Sequence, residues 1–173
     1  MSFEINIVSI EQKNTTHFGQ DLSILVQNEI EHKDEGVARY YKIWPQMCKT
    51  EGIWYTLGRI HRGFFSAINI CESDFHISPK VLPIPNWITD PDVIESLTPI
   101  SIKEEYINDF KTIVECLINE SPQKKILFLA RYQCPDEEVM IEPITLDEFY
   151  SRLENKNILF NACYTIIGGT TKG

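Results

Sequence analysis

Residues Ser101–Tyr132, SIKEEYINDFKTIVECLINESPQKKILFLARY, decide the fold class. Within them Tyr106, Ile107, Phe110, Ile113, Val114, Leu117 and Ile118 recur every three or four residues. That period gathers apolar side chains on one side of a helix, so the spacing predicts a helix over 102–119. Ser101, with Glu104 three residues later, fits a capping box that satisfies orphan N–H groups at a helix start. Asn119–Pro122 supplies the stop. Ile126–Tyr132 then forms a nearly unbroken apolar run of strand length, expected at the centre of a sheet.

Toward the C-terminus, Cys134-Pro135-Asp136-Glu137 reads as a turn. Val139–Ile141 reads as a short strand closing a hairpin on Ile126–Tyr132. Thr145 with Glu148 makes a second capping box. It opens a short helix with Leu146, Phe149, Tyr150 and Leu153 on its apolar side and a stop at Asn155–Asn157. Ile158–Ile167 reads as the last strand, with Phe160, Ala162, Tyr164 and Ile166 on one side. Gly168–Gly173 has nothing to bury and reads as a frayed tail.

Toward the N-terminus, Phe3, Ile5 and Ile7 alternate with Glu4 and Asn6, the pattern of a strand with one wet face. Gln20–Glu31 fits a helical stripe or a strand equally well, and Asp34-Glu35-Gly36 reads as a break. Ile53–Ile60 and Phe64–Cys71 are rich in aromatic and β-branched residues, and the short His61-Arg62-Gly63 between them suits a hairpin. Three prolines in Pro79–Pro85 remove donors and fix φ, giving an extended connector. The expected architecture is α+β, one domain over residues 1–167. Its mostly antiparallel sheet has helices packed on one face. Strands 126–132 and 158–167 lie in its centre, and helix 102–119 is the main cover.

Charge narrows the function. Sixteen Lys+Arg stand against 25 Asp+Glu, a formal charge of -9. Between Asp90 and Glu120 eight carboxylates face only Lys103 and Lys111, and between Cys134 and Glu154 seven face Arg152 alone. Such a surface repels phosphate backbones and attracts basic partners, so nucleic acid is excluded as a partner and a basic protein is favoured. No run approaches the roughly 20 apolar residues of a membrane span, and Met1–Ile10 lacks the pattern of a signal peptide, so the expected compartment is the cytoplasm. Five widely spaced cysteines, with no CxxC, indicate neither a disulfide scaffold nor a zinc ribbon.

The expected contact residues for a basic partner fall in three groups: Asp90, Asp92 and Glu95; Glu104, Glu105 and Asp109 on the outer face of the long helix; and Asp136, Glu137 and Glu138 in the turn. Trp87, between the proline-rich connector and the first acidic group, is the expected aromatic anchor. Glu104, Glu105, Asp147 and Glu148 also suit the first turns of helices, where carboxylates complement the helix dipole. Adjacent carboxylates such as Asp90 and Asp92 do not by themselves make a hydrolytic or metal site, and neither a metal nor a cofactor is expected.

The chain carries no GxSxG, HExxH, P-loop or GxGxxG motif, so it is not expected to be an enzyme. The alternative is a small hydrolase or transferase using Cys71 with His61 or His76, which needs the thiol and imidazole in contact and the thiol pKa lowered. An adaptor module with an ordinary solvated acidic surface is a third class.

Across Ile126–Ile167 the order is strand, acidic turn, short strand, Thr-capped helix, strand, carried by ILFLARYQ, ITLDEFYSRL and ILFNACYTII. This quarter of the chain resembles the small immunity proteins of bacterial polymorphic toxin systems. The resemblance implies a cytoplasmic, non-catalytic partner that plugs a toxin's active site, commonly by setting an acidic surface against a basic nuclease. It is one of pattern and size, and it carries no residue role from position to position.

Overall fold

In chain order the elements are β1 (Phe3–Ile10), β2 (Leu25–Glu29), β3 (Gly52–Gly58), β4 (Phe65–Ala67), β5 (Pro99–Ile102), a 3-10 turn (Glu104–Tyr106), α1 (Ile107–Glu120), β6 (Lys125–Tyr132), β7 (Val139–Thr145), α2 (Leu146–Glu154), β8 (Ile158–Leu159) and β9 (Ala162–Ile167). They come from a computed structural model that describes residues 3–19, 22–29, 51–58, 65–67, 99–132, 139–159 and 162–169.

Six strands form one sheet in the order β2-β3-β1-β6-β9-β7, and β4-β5-β8 form a smaller one. β1 is antiparallel to both neighbours, with Ile7 opposite Tyr55 of β3 and Phe128 of β6. β6 is antiparallel to β9, and among the described strands only β7 and β9 run parallel. The fold is therefore α+β with a mostly antiparallel sheet, as the periodicities predict. β6 and β9 both lie inside the sheet.

Strand side chains divide between the two faces by parity. Ile5, Ile7, Ile53, Tyr55, Leu57, Ile126, Phe128, Ala130, Tyr164 and Ile166 share one core with the helices. From α1 come Phe110, Ile113, Val114, Leu117 and Ile118, and from α2 come Phe149 and Leu153. At its centre Phe128 meets Phe149 at 5.1 Å and Phe110 at 5.9 Å between ring centroids, both edge-on. That geometry sets the positive ring edge against the negative face. Ile100 of β5 and Ile158 and Leu159 of β8 belong to the same core, so the small sheet is continuous with it.

The other face is also buried. Val8, Trp54, Leu127, Leu129 and Cys163 cluster there, and Asn6 is 2% exposed. Its Oδ1 accepts from Trp54 Nε1 at 2.9 Å and from Thr56 Oγ1 at 3.0 Å. The wet face expected of β1 is thus corrected at Asn6, a buried amide held by two donors.

Long-range pairing corrects the sequence reading at four more places. Both expected hairpins fail. β7 pairs with β9 rather than β6, because helix α2 carries the chain over to a parallel partner. β3 pairs with β1 and β2, whereas β4 belongs to the small sheet. The expected strand 158–167 is two strands, since Ile158 pairs with Ile100 while Ala162–Ile167 pair with β6. The expected cap position Ser101 lies in β5 opposite Ser66, and the chain enters α1 through the 3-10 turn, whose N-cap is Lys103, with no side-chain cap. Thr145 does cap α2, its Oγ1 accepting from Glu148 N at 3.2 Å. The ambiguous Gln20–Glu31 contains strand β2.

Short polar links fix the C-terminal end of β1 to the end of α1. Ser9 Oγ donates to Leu117 O at 3.0 Å, and Ser121 Oγ donates to Ile10 O at 2.7 Å and accepts from Lys125 N at 3.2 Å. Tyr55 OH donates to Gln12 Oε1 at 2.8 Å and accepts from Thr16 N at 3.0 Å, which holds the segment after β1 against β3. Gly168, expected in the tail, donates its N–H to Lys124 O at 2.8 Å.

Candidate functional site

The helical layer carries the acid. The 3-10 turn, α1 and α2 contain eight carboxylates (Glu104, Glu105, Asp109, Glu115, Glu120, Asp147, Glu148 and Glu154) and two cations, Lys111 and Arg152. Both cations are engaged within the layer. Lys111 Nζ lies 3.2 Å from Glu154 Oε1 and 4.9 Å from the centroid of the Tyr150 ring, and Arg152 pairs with Glu148 one turn away on α2. The first link ties α1 to α2, and Tyr150 OH adds a second by donating to Lys111 O at 3.3 Å.

The remaining carboxylates differ in availability. Asp109 is half-buried in the first turn of α1, and its Oδ2 accepts both the N–H of Ser23, at 2.7 Å, and the Ser23 hydroxyl. Glu115 Oε1 accepts from Tyr150 OH at 3.3 Å. Glu104, Glu105, Glu120 and Asp147 are exposed, and no cation among the described residues pairs with them. Two phenols beside these carboxylates hold their protons above the ordinary tyrosine range. Tyr106 is pushed up by burial and then by the Glu105 carboxylate; Tyr150 by burial and then by Glu115 and Asp147. Burial disfavours the charged phenolate, and a nearby carboxylate adds to that, so both phenols hold their protons more tightly.

Of the expected contact residues, Glu104 and Glu105 are exposed side by side on the turn that opens the layer, and Asp109 sits next to them with one oxygen bonded to Ser23. Trp87, Asp90, Asp92, Glu95, Asp136, Glu137 and Glu138 lie outside the described residues. Asp147, Glu115 and Glu120 enlarge the exposed acidic layer beyond the expected set. Their signal was present in the helical spacing, but the pairing of Lys111 with Glu154 joins two helices and has none.

Cys163 is fully buried, and burial, followed by Glu120, pushes the Cys116 thiol up, away from the reactive thiolate. No group of three or more His, Cys, Asp or Glu among the described residues is arranged to hold a metal ion. Cys71, His61 and His76 lie outside the described residues. No described helix is long and apolar enough to cross a membrane. Comparison with known proteins finds no matching family model, no matching curated protein and no matching solved structure.

Proposed function

We propose that this chain is a non-catalytic, cytoplasmic binder of a basic protein, acting as an immunity protein that neutralises a cognate bacterial toxin by direct contact. One observation carries the reading: after the two cations of the helical layer are paired, Glu104, Glu105, Glu120 and Asp147 remain exposed without a cation among the described residues. Surface helices that serve only solubility gain from alternating charges, and this layer has two cations for eight carboxylates. A concentrated negative surface speeds encounter with a Lys- and Arg-rich partner, and it disfavours acidic or nucleic-acid partners. The resemblance of Ile126–Ile167 to immunity proteins implies the same class of partner.

The decisive experiment looks for a toxin gene beside this one, mixes the purified chain with the cationic domain it encodes, and also co-expresses the two in cells. The expected result is a stable complex whose association slows as salt is added, together with protection of the cells. A neighbouring toxin that neither binds the chain nor loses its toxicity overturns the proposal.

A further inference from the structure

No further inference is drawn: the strongest candidate, the second face of the six-stranded sheet around Trp54, where the buried Asn6 Nδ2 lacks a hydrogen-bond acceptor, carries nothing because no described residue shows what covers that face.

Discussion

Asp109 and Ser23 stand 86 positions apart in the chain, yet one oxygen of the Asp109 carboxylate accepts both the backbone N–H and the hydroxyl of Ser23. The pair fastens the approach to edge strand β2 onto the first turn of α1. It also sets Asp109, half-buried and bonded to Ser23, apart from the exposed Glu104 and Glu105 in the same turn and a half of chain, of which Glu105 bonds its neighbour Tyr106.

Stability measurements resolve the two kinds. Asp109→Ala leaves both Ser23 donors without their acceptor, and hydrogen bonds to charged groups contribute about 1.5–3 kcal/mol each way of counting. Half-burial reduces this, so a loss of about 1–2 kcal/mol is expected by denaturant titration. Glu104→Gln with Glu105→Gln touches exposed groups and is expected to stay within about 0.5 kcal/mol of the parent. Equal losses in the two variants would refute the division.

Association kinetics test the acidic layer directly. Glu104→Lys with Glu105→Lys moves four units of charge at one exposed point of the surface. Stopped-flow mixing with the cationic partner is expected to show association slowed by roughly tenfold at low salt. The difference should shrink as the Debye length falls to about 3 Å near 1 M salt. A rate unchanged at low salt would place the contact elsewhere.

Phe149 is the position where α2 depends most on the sheet. It is fully buried, with its ring 5.1 Å from Phe128, 6.2 Å from Phe110 and 6.5 Å from Tyr164. Phe149→Ala removes a whole ring from between two helices and two strands, at a cost of about 3–5 kcal/mol. Since domains are stable by only about 5–15 kcal/mol, the variant is expected to melt far below the parent in calorimetry. Phe149→Leu keeps most of the volume and should lose less.

Alkaline pH should expose the buried phenol of Tyr164. Burial raises its pKa, outweighing the lowering effects of the Leu159 N–H and of Arg152. The folded state thus holds this proton more tightly than the unfolded chain, where tyrosine ionises near about pH 10. Its contribution to stability is constant below that pH and falls as pH rises above it, by up to about 1.4 kcal/mol per pH unit. Tyr164→Phe should flatten part of that alkaline decline. It should also lower stability at neutral pH, because Leu159 N donates to the Tyr164 hydroxyl at 3.0 Å. An alkaline slope identical in the two proteins would show that Tyr164 does not supply it.

Local signals carried well where the reason for an element lay inside it. The stripe Phe110, Ile113, Val114, Leu117 and Ile118 is the buried face of α1, and Thr145 caps α2 three residues before Glu148, as its spacing requires. They failed where a neighbour distant in sequence competed. Ser101 has the chemistry of a cap, but β5 takes its backbone as a strand between β4 and β8. Asn6 has the polarity of a solvated position, but Trp54 and Thr56 donate to it inside the fold. The exposed acids Glu104 and Glu105 were legible from composition; the internal bond of Asp109 was not, because nothing in a helical repeat announces Ser23.

By itself, then, the sequence determined the helical stripe of α1, the cap of α2 and the apolar run of β6, since hydrophobic period and capping act within about a dozen residues. The tertiary structure alone decided which strands pair and which carboxylates stay free. Strand partners are chosen by where helices return the chain: α2 delivers it beside β7 in parallel, a choice that no pattern within β6, β7 or β9 encodes. A carboxylate is neutralised only by a group brought within reach in space, as Glu154 is by Lys111 from the neighbouring helix.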